Sequence, residues 1–326
     1  MNLNPKLFDT DIEQVPIRVG FGEGLLELGD TNTNVVALCA DLTESTKTDA
    51  FKKKYPNRFI EMGIAEQSMA SVASGMAAMG KIPFIMSYAM FSPGRNWEQL
   101  RTTVAYNNVP VKIVGAHAGV SVGPDGGTHQ AIEDIALMRI LPRIVVIVPC
   151  DSVEAKKATI AIGKTQDPSY LRLAREKTPV VTTSETPFEI GRAQVFYQSS
   201  EKADKKIGII ACGQLVYTAI MAAKELEEVG IEVGVMNLAT IKPLDTISII
   251  DFAKKYGRVI TAEEHQVAGG MGSAVAELLA QNYPVPMAFV GVDDKFGQSG
   301  TPAELLTHYG MDKETVIKKA KELLQK

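Results

Sequence analysis

The sequence is short of the residues that mark special environments. Its 326 residues include three cysteines, one tryptophan and four histidines. Cys39, Cys150 and Cys212 are odd in number, far apart and lack C-x-x-C spacing, so neither a disulfide framework nor a cysteine-held zinc is expected. Each closes a strand-like run (VVALC, IVVIVPC, IGIIAC), which reads as a reduced core thiol and points to the cytoplasm. No apolar run is long enough to span a bilayer. The opening MNLNPKLFDTD has no positive segment followed by an apolar one, so no export signal is expected. Excess charge is also missing. A net −4, with lysine clusters that are short and free of interleaved aromatics, reads as solvated faces rather than a nucleic-acid footprint. No short internal repeat occurs, and neither glycine cluster, RVGFGEGLL nor GGMGSAVAELL, fits G-x-G-x-x-G. Both read as close packing at helix starts.

What the chain does have is ordinary globular composition, 45% hydrophobic, and a length that points to two domains. Strand-length apolar runs at 35–39, 82–86, 111–115, 144–148 and 169–173 mostly stand far enough apart for crossover helices, which predicts a parallel sheet with helices on its faces. The stretch EKTPVVTTSETPFEIG, 176–191, breaks this rhythm as an interdomain linker does. A second series follows: strands IGIIA, IEVGVM, RVITAEE and PMAFVG, with helices at 215–229, 247–255, from Met271, and at 313–324. The predicted class is α/β with two domains, 1–185 and 186–326, each a mostly parallel sheet flanked by helices.

Three places could carry chemistry. Glu66 heads a segment of small residues (EQSMASVASGMAA), so its helix is expected to be closely packed, with a subunit interface as one option. A carboxylate in a first turn is favoured by the helix dipole whatever else it does. A buried carboxyl against an apolar contact would instead have a raised pKa and could share a proton with a base. Tyr88, Phe91 and Trp97 follow the strand IPFIM, with Arg95, Glu98 and Arg101 beside them; such a cluster is core or cofactor shelf. In AHAGVSVGPDGGTHQ, His117 and His129 bracket Asp125 on a glycine-rich loop. The spread of the three, with no evident fourth ligand and little rigidity expected of such a loop, argues against a metal. A structural loop with a capping aspartate and a site for a polyhydroxylated anion both remain open.

Together these motifs resemble the transketolase family, specifically its C-terminal half, from about residue 15 to the end. The residues that carry the resemblance are MGIAEQSMASVASGMA (62–77), HAGVSVGPDGGTHQAIEDIALMR (117–139), VPCDSVEA (148–155), GVMNLATIKPLD (234–245), EEHQVAGGMGSAVAELL (263–279) and DKFGQSG (294–300). It implies a pyrimidine-binding domain, the family's C-terminal domain, and thiamine diphosphate as cofactor. By the same resemblance Glu66 would bond the aminopyrimidine ring nitrogen and promote formation of the ylid. Phe91 with Tyr88 would stack on that ring; Gly94 stands where some members carry a third aromatic. Asp41 would line the thiazolium pocket. His117 and His129 would face the sugars as catalytic residues, Asp125 would bind a hydroxyl, and Arg18, Ser45, His117 and Arg175 would take the phosphate. The family's N-terminal GDG motif and its asparagine partner, which hold the diphosphate and metal, have no counterpart here. A separate chain is therefore expected to supply them with Mg²⁺ or Ca²⁺, in an α2β2 heterotetramer, and no metal ligand is assigned to this chain. The implied activity is transfer of a two-carbon ketol unit from a ketose phosphate to an aldose phosphate, as in pentose phosphate metabolism. The alternatives are a deoxyxylulose-phosphate synthase type, a 2-oxoacid dehydrogenase β subunit, or a non-catalytic scaffold subunit.

Overall fold

The computed structural model describes residues 2–200 and 202–325. Fourteen strands are β1 (Gln14–Pro16), β2 (Val35–Cys39), β3 (Phe59–Glu61), β4 (Ile82–Tyr88), β5 (Lys112–Ala116), β6 (Val145–Ile147), β7 (Ser169–Arg172), β8 (Lys177–Pro179), β9 (Gln194–Gln198), β10 (Lys206–Ala211), β11 (Glu232–Asn237), β12 (Thr240–Lys242), β13 (Val259–Gln266) and β14 (Met287–Val292). They build a seven-stranded sheet in the order β12-β6-β7-β5-β4-β2-β3 and a five-stranded one in the order β14-β13-β10-β11-β9. All pairings are parallel except β12 with β6 and β9 with β11 in these sheets, and the small β1–β8 pair.

Central strands such as β2 and β10 are covered on both faces, so they bury consecutive apolar residues that alternate between two cores. In β2, Val35, Ala37 and Cys39 face one cluster with Ile17, Phe21 and Ala155, while Val36 and Leu38 face another with Met69 and Ala73. β10 does the same with Ile209 and Ile210. The cluster that holds Val36 and Leu38 runs unbroken from the first sheet into Met236 of the second and into Ile249 and Met271 on helices of the second half, so the halves share a core.

Glycines set the closest approaches, as expected from their clusters. A Cβ on Gly20 or Gly22 of the Ile17–Thr31 helix would sit 1.7 Å from the Ser152 carbonyl or 2.3 Å from that of Lys47. One on Gly270 would sit 2.2 Å from the Glu263 carboxylate. All three cysteines are buried and unpaired. Strand bounds shift by a residue or two, as at Ile82–Tyr88, Val145–Ile147 and Ser169–Arg172. The 176–191 stretch is not wholly irregular, since β8 inside it pairs with β1. The strand read at 111–115 is Lys112–Ala116, one residue later. No helix among the described residues is long and apolar enough to cross a membrane.

Candidate active site

The larger sheet reverses its strand order between β2 and β4, and ligands in such sheets sit outside the carboxyl ends of strands at that crevice. Asp41 follows β2, Glu66 follows β3, Tyr88 ends β4, His117 follows β5 and Arg175 follows β7. The topology therefore delivers these residues to one end of the sheet. Helix Ile17–Thr31 adds Arg18 from its first turn.

Glu66 opens the Glu66–Ala78 helix and is 2% exposed. Met69, Ala70, Ala73 and Ala77 bury one face of that helix, and small residues with Val72 leave the other open. Polar groups reach this buried carboxylate. Arg95 Nη1 donates to Oε2 at 3.1 Å and Ser87 Oγ to Oε1 at 3.4 Å. Asn96 Nδ2 donates to the Glu66 carbonyl at 3.2 Å. Burying a charge without such partners would cost several kcal/mol, which is why the arginine is there.

Next to it lies an aromatic stack. Tyr88 and Phe91 are stacked with centroids 6.2 Å apart, and Tyr88 lies 4.0 Å from the His117 ring. His129 meets Phe91 edge-on at 5.5 Å. Tyr88 Oη donates to Ser45 Oγ at 3.3 Å, and Arg18 Nη1 to the Ser45 carbonyl at 2.8 Å and to His117 Nε2 at 3.2 Å. An arginine can only donate, so Nε2 accepts and the proton of the neutral ring stands on Nδ1. That nitrogen is buried with no partner among the described residues, as is Arg18 Nε. Burial, then the charges of Arg18 and Arg175, pushes the His117 pKa down to about 3, so the ring is neutral at any physiological pH. The orphaned His117 Nδ1 and Arg18 Nε, with the charge of Arg175 nearby, suit an anionic, hydroxylated ligand.

The loop from Ala118 to Gln130 is pinned, not slack as its glycines suggested. Gly119, at φ 90°, lies so close to Glu264 that a Cβ would stand 2.3 Å from the carboxyl carbon, and Ser121 N–H donates to Glu264 Oε1 at 2.6 Å. Gln130 Nε2 bonds the carbonyls of Val120 at 2.9 Å and Gln298 at 3.0 Å. Asp125 projects from this loop toward Arg175, 3.9 Å from its Nη1. Thus Arg18, Ser45, Tyr88, Phe91, His117 and His129 form one contact chain, Glu66 joins it through Arg95 over the Phe91 ring at 5.0 Å, and Asp125 with Arg175 forms a flanking pair. Asp41 is exposed and in the left-handed region, its N–H donating to Glu61 Oε1 at 2.7 Å. Residue-by-residue reading missed the Arg95 and Ser87 partners of Glu66 and the Glu264 anchor; a charged residue set among apolar strand residues was the one available signal for the last. Among the described residues no group of three or more His, Cys, Asp or Glu could hold a metal ion.

Two covered α/β sheets with a polar crevice at the strand ends define a two-domain α/β enzyme subunit. Residues 13–181 match the family described as "Transketolase, pyrimidine binding domain", and 197–316 match "Transketolase, C-terminal domain". A protein of Methanocaldococcus jannaschii described as a transketolase C-terminal section is 42% identical over 95% of this chain and 96% of its own length. The 6-deoxy-6-sulfo-D-fructose transketolase subunit SqwH of Clostridium sp. (strain MSTE9) is 36% identical over 98% of each. A solved structure titled a split gene transketolase, inactive β4 tetramer, superposes with TM-score 0.88 at 41% identity, covering 95% of this chain and 99% of that one. The chain belongs to the transketolase family, whose members depend on thiamine diphosphate, and it is a transketolase-type transferase subunit that works with a separate partner chain.

Proposed function

We propose that this chain supplies the ring-binding and sugar-binding half of a split transketolase, acting on a ketose phosphate donor and an aldose phosphate acceptor. The observation that carries this reading is the single chain of contacts from Glu66 through the Tyr88–Phe91 stack to His117 and Arg18. The donor set suits the cofactor's aminopyrimidine: a helix-start carboxylate whose Oε1 is held only loosely by Ser87, at 3.4 Å, beside partly open aromatic faces. When bound, the cofactor supplies the carbon nucleophile of ketol transfer.

This chain's residues do the rest. With the cofactor bound, Glu66 would bond the ring nitrogen and share a proton with it, and Phe91 with Tyr88 would stack on the ring. Asp41 would line the thiazolium pocket. His117 and His129 face the reacting sugar: His117 donates from Nδ1, and His129, partly exposed, can donate or accept at an oxygen where charge changes. Asp125 accepts from a sugar hydroxyl. Arg18, Ser45, His117 and Arg175 hold the terminal phosphate. The partner holds the diphosphate and a divalent metal, Mg²⁺ or Ca²⁺, the two chains assemble as α2β2, and the setting is pentose phosphate metabolism in the cytoplasm. Within the chain the ring-binding domain extends to about 185 and the C-terminal domain from about 186. The inactive β4 tetramer named for the related split-gene structure supports the need for a partner.

The test is to assay ketol transfer by this chain alone, with its partner, and with its partner as Glu66→Ala. Activity is expected only from the intact pair, and removing an interaction that acts in the rate-limiting chemistry is expected to cost at least about 100-fold in kcat. Full turnover by the single chain or by the Glu66→Ala complex would end this reading.

A further inference from the structure

The partner of Glu66 is itself placed with some care. Gly94 carries no side chain because a Cβ there would lie 2.0 Å from the Met90 carbonyl oxygen. The chain turns tightly through this point. Gly94 N–H donates to the Ala89 carbonyl at 3.3 Å, and Arg95 N–H to that of Phe91 at 3.0 Å. Asn96 Nδ2 then ties the turn to Ser92 Oγ at 3.1 Å and to the start of the Glu66–Ala78 helix at 3.2 Å. As a result the next residue swings back over the site. The Arg95 guanidinium covers the Phe91 ring at 5.0 Å and bonds Glu66 Oε2 at 3.1 Å. Its side chain is 50% exposed, whereas that of Glu66 is 2% exposed. Arg95 is therefore the solvent-facing member of a pair whose other member is sealed in. It commits Oε2 to a charge-assisted bond, leaving Oε1 as the freer oxygen.

We propose that Arg95 is a positioning residue for the cofactor ring. It fixes the carboxylate plane of Glu66 so that Oε1 meets the ring nitrogen, and its flat guanidinium forms a wall of the ring pocket where position 94 cannot carry an aromatic. The inference rests on the reading that Glu66 and Phe91 receive the aminopyrimidine. The two jobs use different properties of the side chain. Orientation needs the charge; the wall needs the planar group.

The experiment uses the two-chain complex and titrates thiamine diphosphate with Mg²⁺. Binding is followed by intrinsic fluorescence, to which Trp97, the chain's only tryptophan, lies two residues away. In Arg95→Met, affinity and kcat at saturating cofactor are each expected to fall about 10-fold, the scale of one lost charge-assisted bond or cation–π contact. Arg95→Lys should recover kcat to within about threefold while affinity stays weak, because a lysine keeps the cation but not the fork. A side chain that merely supported the fold would move both quantities together. Wild-type affinity and kcat in Arg95→Met, or joint recovery or joint loss of the two in Arg95→Lys, would overturn the proposal. The Glu66→Ala complex separates the levels: its full activity would remove the underlying reading as well, whereas its inactivity beside an unaffected Arg95→Met would remove this inference alone.

Discussion

The neutral, buried His117 makes a quantitative claim about acid stability. In the fold its pKa is held at about 3 by burial and by Arg18 and Arg175, against 6.5 in the unfolded chain. Below 6.5 the unfolded ring takes up a proton that the folded ring refuses, so stability is full above about pH 7 and is lost as the pH falls toward the folded value. Between about pH 7.5 and about pH 5 the loss from this one ring is about 2 kcal/mol, set almost wholly by the unfolded value, because at pH 5 a folded value near 3 still leaves the ring neutral. Glu154 acts in the opposite direction. Burial and the neighbouring Asp151 raise it to about 7 from 4.5, so it stabilises the fold as the pH drops through that window. The wild-type curve alone is thus a sum of opposing effects, and a difference measurement is needed. His117 has φ 56°, a conformation asparagine tolerates, so His117→Asn removes the titration without backbone strain. Urea unfolding of both proteins at the two pH values should show the gap between them shrinking by about 2 kcal/mol in acid. A gap that stays constant, or widens, would refute the neutral-ring argument.

Asp134 and Arg172 form a buried ion pair, Nε to Oδ2 at 2.7 Å, with Tyr170 Oη on the same oxygen at 2.7 Å and Arg172 Nη2 reaching the Glu264 carbonyl at 2.8 Å. Asp134→Ala leaves that guanidinium charged and unpaired and should cost about 3–5 kcal/mol in denaturant unfolding; a loss under about 1 kcal/mol would mean the pair behaves as an exposed one. Gly119→Ala forces a methyl to 2.3 Å from the Glu264 carboxyl carbon at φ 90°. It should destabilise by about 1–3 kcal/mol and raise KM for the sugar as the loop lifts, and a variant with unchanged stability and KM would show the loop is not anchored there.

Local pattern carried much of this chain to the page. Helices read at 215–229, 247–255 and 313–324 are Leu215–Glu228, Thr246–Tyr256 and Lys313–Leu323, because their apolar spacing is strong and their ends are marked by Asp245 and Asp312 caps or by Gly257. Glu66 at a helix start was legible from the run of small residues that follows it, not from a cap, since Ala65 at the N-cap makes no side-chain bond. The Arg95 contact with it was not: it spans 29 residues and depends on a turn that periodicity does not encode. Nor could spacing foretell that Glu264, in the second half, would anchor the loop of the first across 143 residues of chain. The choice between a helix-dipole role and a buried apolar setting for Glu66 stayed open in the sequence, because its partners Arg95 and Ser87 lie 29 and 21 residues away. Motif resemblance bridged what local reading left open, since it carries tertiary proximity within it.

Strand β12 pairs with β6, Thr240 opposite Ile147 and Lys242 opposite Val146, although it follows the first sheet by more than one whole strand of the second. The rim of one half is thus sealed by a graft from the other. Cutting the polypeptide between the two family matches would expose that rim as a bare template for foreign strands, a recipe for aggregation rather than for two tidy pieces. A fragment meant to keep the first sheet closed must therefore carry β12 with it.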